Sequence, residues 1–241
     1  METYRADFPK YAAKSQHKNV QLFFDKAPGL VTKPFKYSHV SSEQTSTVLK
    51  TALNQLEWAG LIQKIIATSA SGIPLSSHAK DNKFKLIFLD IGLTNCADKL
   101  DFQRAWNAQL HQINAGALAE QFVGQELLAN ADPHLRSRLY YWERDKKGAM
   151  AEVDYVIQSG SNVIPIDVKA GTTGTLKSLQ QFLLEKEAPF GVRISQHPLS
   201  FHDNILSVPF YLMHRLPAFI QGGLNLVKSD NIDDRFKKLD S

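Results

Sequence analysis

The stretch EVDYVIQSGSNVIPIDVK, residues 152–169, decides how the rest of the chain is read. Two short apolar runs flank Ser-Gly-Ser-Asn, a hairpin signal with Gly160-Ser161 as the two-residue turn. That turn sets a register in which Val153 faces Val168, Tyr155 faces Ile166 and Ile157 faces Ile164, an apolar side of three pairs. On the other side Glu152 stands opposite Lys169 and Asp154 opposite Asp167, and strand alternation puts the four charges on one face. Facing carboxylates repel. The pair is therefore expected to titrate with one raised apparent pKa and to be neutralised by a proton, a lysine or a divalent cation. Lys169, two residues from Asp167, supplies part of this. The alternative is a solvated sheet face, where screening makes the repulsion cheap.

The flanking segments place the hairpin in a regular order of elements. A helix is predicted over 116–130, strands over 138–143, 152–158 and 163–169, a helix over 175–187 and a strand over 190–195. Antiparallel hairpins followed by a crossover give a mixed sheet with helices on its faces. Glu120 lies in the first of these helices with Gly116 and Gly124 one turn away on either side. Those small residues let that face approach the sheet, which would bring the carboxylate toward Asp154 and Asp167. Beyond the block lies one more apolar element, 208–220, and after Gly222-Gly223 a charged tail, 229–241, expected to be mobile.

Upstream, residues 1–14 show no clean period, and 20–27 read as a short helix stopped by Pro28-Gly29. Ser41 and Gln44 form a capping box for a helix over 42–59, which Gly60 ends. Its apolar stripe is Val48, Leu49, Ala52, Leu53, Leu56 and Ala59. Strands starting at Leu61 and spanning 85–89 follow, so this part has the outline of a winged-helix unit. The helix carries Lys50 as its one cation beside Glu43 and Glu57, a poor face for phosphates, and it is read as a connector. Asp90 caps a helix start. Residues 98–114 read as a polar helix with Phe102, Trp106, Leu110 and Ile113 at helical spacing.

Composition bounds the function classes. The 241 residues are 43% hydrophobic and 22% charged, as in a soluble globular protein. The single cysteine, Cys96, excludes an internal disulfide framework and a four-cysteine zinc site, and fits a cytoplasmic setting. No apolar run is long enough to span a bilayer, so no membrane partner is expected. A net charge of +4 permits nucleic-acid binding without requiring it.

Glu120, Asp154 and Asp167-Val168-Lys169, in this element order, resemble the pattern of the PD-(D/E)xK nuclease superfamily. The segments FKYSHVSSEQTS, LNQLEWAGLI, FKLIFLDIGL, GALAEQFVGQEL, AEVDYVI and PIDVKAG are moreover similar, over about residues 1–220, to one family of prokaryotic AAA-type ATPases. The C-terminal part of that family is a PD-(D/E)xK-like domain of unknown function. The resemblance implies an α/β protein: a winged-helix-like connector (1–97), a restriction-endonuclease-like mixed-sheet core (98–221) and a tail (222–241). It implies Glu120, Asp154 and Asp167 as ligands of Mg²⁺ or Mn²⁺ and Lys169 as the catalytic lysine. Glu152 is then a partner that orients Lys169, and Gln180 or Gln181 a substrate contact. Asp167 stands where many members have glutamate, and Val153 where the superfamily name has proline. The chain lacks G-x-x-x-x-G-K-[ST], so it is expected to be a piece of such an ATPase without its N-terminal ATP-binding module, and no ATP site is expected in it. The function implied is metal-dependent hydrolysis of nucleic acid, DNA favoured. The alternative is a non-catalytic DNA- or protein-binding regulatory domain of that ATPase. Oligomeric state is not legible.

Overall fold

The structure, a computed structural model, describes residues 2–11, 14–97, 108–135, 137–144, 151–172 and 174–237. The chain divides into two compact units: residues 1–66 with 80–128, and residues 67–79 with 129–241. Among the described residues, eight strands and the helices around them make this an α/β protein with mixed strand pairing, as expected. Among the described residues no helix is long and apolar enough to cross a membrane.

The first unit holds helices α1 (Glu2–Tyr11), α2 (His17–Lys26) and α3 (Ser46–Trp58), then strands β1 (Ile62–Thr68) and β2 (Ala79–Phe88). Helices α4 (Ile91–Ala97) and α5 (Ala108–Ala129) complete it. Val20, Phe23, Phe24 and Ala27 recur at helical spacing and are buried. Pro28 and Gly29 then turn α2 into a short 3₁₀ stretch. Phe24 meets Phe8 and Phe88 edge-on, and Phe35 stacks on Phe23 and Phe84. Such ring pairs add to the area they bury.

Helix α3 buries Leu49, Ala52, Leu53 and Leu56 of the predicted stripe, while Val48 and Ala59 are half-buried. Each leucine so buried contributes about 1.5–3 kcal/mol. Its C-terminus closes as predicted at Gly60, whose φ is +72. Gly60 N donates to Glu57 O and Leu61 N to Leu56 O, which satisfies carbonyls the helix leaves open. The N-terminus differs from the expected capping box. Ser41 Oγ does accept from the backbone N–H groups of Glu43 and Gln44, but these close an isolated turn. The helix starts at Ser46, with Thr45 Oγ1 accepting from Val48 N.

In the second unit β3 (Leu139–Glu143), β4 (Glu152–Ser159), β5 (Asn162–Val168), β6 (Gly191–Ser195), β7 (Ser200–His202) and β8 (Ile205–Pro209) lie in the order β3-β4-β5-β6-β8-β7. Strand β4 is antiparallel to both β3 and β5, β5, β6 and β8 run parallel, and β7 turns back along β8. Helix α6 (Lys177–Lys186) packs on one face, where Leu179 comes so near Gly191 that a Cβ there would sit 2.8 Å away. Helix α7 (Leu216–Lys237) covers the other face, with Gly223 against Phe190, which meets Phe201 edge-on.

The predicted hairpin is present, with its register intact from Ser159↔Asn162 to Tyr155↔Ile166 and Gly160 at φ +59. Three expectations are corrected. The segment 208–220, read as one apolar element, is the end of β8, a 3₁₀ turn and the start of α7. A hairpin, β7–β8, precedes it, and its turn residues Asp203 and Asn204 both have positive φ, as a tight hairpin turn requires. The segment after Gly222-Gly223, read as a tail, continues as helix α7 through Lys237. Of the predicted 98–114 helix, residues 98–107 lie outside the described residues.

Candidate functional site

Strands β5, β6 and β8 are parallel, so their C-terminal ends share one edge of the sheet. Such edges are where open α/β sheets bind ligands. Antiparallel β4 begins at that same edge. The arrangement brings Asp154, Asp167 and Lys169 together, and around them Ser195, Gln196 and His197 at the end of β6.

Asp167 is 3% exposed. Burial pushes its carboxyl pKa above the ordinary value, and the neighbouring Lys169 ammonium opposes that shift. Lys169 Nζ lies 2.8 Å from Asp167 Oδ2. The contact has hydrogen-bond length, but Oδ2 receives no well-aligned hydrogen bond from it. We read it as an ion pair that compensates charge and leaves a buried oxygen short of a directed donor. The raised pKa was expected from a facing carboxylate; its cause is desolvation instead.

Asp154 does not face Asp167 as a simple ladder partner. The β4–β5 pairing ends at Tyr155↔Ile166. On the β3 side Tyr140 pairs with Val156 and Trp142 with Val153, so Tyr141 faces two residues, Asp154 and Tyr155. This is a β-bulge on β4, and it breaks the alternation that put four charges on one face. The Asp154 carboxylate instead accepts the backbone N–H of Val168 at 2.7 Å.

Glu152 pairs with Glu143 across β3–β4. Lys169 makes its ion pair with Asp167 rather than with Glu152. Tyr141, beside both glutamates, is buried, and its phenol is pushed up from the ordinary value, so it stays protonated. Of the two glutamines, Gln180 is exposed on α6, while Gln181 donates to Glu185 Oε1, which also holds Arg144 at 2.5 Å.

Glu120 belongs to the first unit. There its Oε2 lies 3.8 Å from Nζ of Lys85, a lysine of β2 that is 2% exposed. The residue of α5 that enters the strand region is its neighbour Gln121. Its amide donates to Phe88 O and its carbonyl accepts from Phe88 N, both at 2.8 Å. One turn later Gln125 accepts from Ile91 N.

Sequence reasoning passed over Arg193, which pairs with Asp167 in the β5–β6 register and so shares its face. Its Nε and Nη2 donate to the buried Ser207 Oγ at 3.1 and 2.7 Å. The available signal was a charge inside the apolar run GVRIS. Gln196 and His197 carried no comparable signal, because only the fold brings them to the loop after Lys169.

Two carboxylates present hard oxygens of the type that Mg²⁺ and Mn²⁺ take, and Mg²⁺ is usually held by one or two carboxylates plus water and substrate oxygens. The buried, under-satisfied Oδ2 of Asp167 fits such a cation. Among the described residues no group of three or more His, Cys, Asp or Glu is arranged to hold a metal ion. A separate polar cleft of about 410 Å³, lined by Ser71, Ser161, Asn162 and Glu187 among others, opens at the turn end of the hairpin, away from these carboxylates.

Residues 115–212 match the family described as a domain of unknown function (DUF4143), and residues 1–104 match a second, also described as a domain of unknown function (DUF8612). No curated protein and no solved structure matches the chain.

Proposed function

We propose that the edge carrying Asp154, Asp167 and Lys169 is a divalent-metal-dependent phosphodiesterase site acting on nucleic acid, DNA favoured. The observation that carries the reading is Asp167: a buried carboxylate with raised pKa, 2.8 Å from a lysine, at the C-terminal edge of parallel strands. Perturbed, buried acid–lysine pairs are concentrated at working sites. The family matched by residues 115–212 is typically found with AAA ATPases, which supports placing this site in the C-terminal part of such an ATPase. The finer fold reading, a PD-(D/E)xK core behind a winged-helix-like connector, rests on the residue pattern and element order.

In this reading Asp154 and Asp167 hold Mg²⁺ or Mn²⁺. The chemistry supplied by that ion, when bound, is neutralisation of phosphoryl charge and a more acidic water. Asp154 is oriented by Val168 N–H. Asp167, short of donors, offers its oxygen to a cation. Lys169 then exchanges its contact with Asp167 for one with the phosphate or the attacking water, and its positive charge stabilises the developing charge.

The second reading, a non-catalytic DNA- or protein-binding module, is favoured by the same contacts taken as final: Lys169 on Asp167, and Asp154 on a backbone N–H. Cleavage decides between them. With Mn²⁺ or Mg²⁺ the protein is expected to nick or cut DNA slowly, EDTA to stop it, and Lys169→Ala to abolish it with the fold kept. Cutting that survives Lys169→Ala or EDTA refutes the assignment, and no cutting of any nucleic acid with metal bound supports the binding module.

A further inference from the structure

We propose that His197, together with Gln196, is a positioning residue that holds Lys169 on Asp167 through the loop following Lys169. The inference builds on the reading of Lys169 as the working cation of the site. Lys169 lies just past the end of β5, and its last ladder contact is its own N–H to Ile194 O at 2.9 Å. A lysine stem has four rotatable carbons and many rotamers, so the side chain alone does not fix its ammonium.

Three contacts close the loop around that stem. Gln196 Nε2 donates to Ala170 O at 3.0 Å. His197 Nε2 meets Thr172 O at 2.7 Å, and because a carbonyl only accepts, the ring carries a proton on Nε2. Gly174, at φ +146, returns so near the lysine that a Cβ there would lie 2.9 Å from Lys169 Cδ. His197 is itself anchored. Its backbone N donates to Ser195 Oγ at 3.2 Å, Ser195 is fully buried, and the following Pro198 restricts its backbone. The end of β6 thus straps Ala170 and Thr172, and Gly174 lies against the Lys169 stem, an arrangement that favours the ammonium on Asp167.

The test measures Lys169 directly, without requiring activity. Metal-free protein is reductively methylated at neutral pH, and the rate at Lys169 is followed by peptide mass spectrometry. His197→Leu is expected to raise that rate about three- to tenfold, the population change that loss of one ordinary hydrogen bond produces. Other lysines should keep their rates. His197→Gln, whose amide can donate to Thr172 O, should restore most of the protection, and His202→Gln, on the exposed strand β7, should match the parent. In the cleavage assay His197→Leu should lower kcat by about 10- to 100-fold with KM unchanged, as misplacement of a catalytic group does. If labelling changes as expected while the parent cuts nothing, the strap stands and the phosphodiesterase reading falls. A folded His197→Leu with parental Lys169 labelling overturns the proposal. Should that variant fail to fold, Gln196→Leu, which removes a donor from an exposed side chain, carries the same comparison with the same two outcomes.

Discussion

Asp167→Asn separates the cost of burying a charge from the gain of binding a cation. The parent carboxyl is 3% exposed, and burial raises its pKa. A raised folded-state pKa means that the folded protein takes up this proton more readily than the unfolded chain. The stability it contributes is therefore fully present below the ordinary carboxyl pKa of about 3.9 and is lost as pH rises through the raised value. Above that raised value the fold carries a desolvated charge. Asparagine keeps the shape and removes the charge, and Lys169, 28% exposed, can turn to water rather than be stranded. Removing one partner of a buried pair is costly when it strands the other charge; because Lys169 reaches solvent, the variant is expected to melt at or above the parent temperature. The gap should close in acid, where the parent carboxyl is itself neutral. Mn²⁺ at a hundred times its Kd should add about 2.7 kcal/mol to the parent, and sharply less to the variant, which lacks a ligand. Paired thermal melts at neutral and acid pH, with and without Mn²⁺, read all of this. A variant that melts lower at both pH values without metal, yet keeps the full Mn²⁺ gain, would show that Asp167 serves the fold and that the cation binds elsewhere.

Three shorter tests address the surrounding structure. Gly174→Ala forces a Cβ against Lys169 Cδ at a φ that L-residues avoid, so it should cost about 1–3 kcal/mol in denaturant melts and also slow any Lys169-dependent cleavage. Gln121→Leu leaves both polar groups of Phe88 without their side-chain partner and should cost roughly 2–4 kcal/mol, whereas an exposed substitution on α5 should cost little. Lys50→Ala on α3 should change DNA affinity by well under the roughly 1 kcal/mol of a base contact, and a large loss with a smaller salt slope would make α3 a recognition helix.

The hairpin was legible because its register is local: a two-residue turn with Gly160 at positive φ leaves one pairing for each strand. The end of α3 was legible for the same kind of reason, since Gly60 is the one residue there suited to a left-handed cap. Local signals also existed where the reading failed. Asp203-Asn204 is a tight-turn pair, and Thr45 competes with Ser41 as a cap. What no local signal contained is the β4 bulge opposite Tyr141 and the docking of Gln196 and His197 on the loop after Lys169. Those depend on which strands become neighbours. The grouping of Asp154, Asp167 and Lys169 was therefore readable from the hairpin, while their orientation was not.

The bulge and the Asp154 contact explain how one hairpin can carry two carboxylates at one end. Alternate N–H groups of a central strand point to opposite neighbours, and here Lys169 N–H goes to β6, bonding Ile194 O. Val168 N–H points the other way, toward β4, where a regular ladder would offer a backbone carbonyl. It finds the Asp154 carboxylate instead. A side-chain acceptor is longer than a carbonyl, so the strands can separate beyond Tyr155↔Ile166 without leaving that N–H unsatisfied. Each carboxylate has its own positive partner, a backbone N–H for Asp154 and an ammonium for Asp167. The two anchored carboxylates and Lys169 thus gather where the regular β4–β5 ladder stops, beside the one misaligned residue on β4.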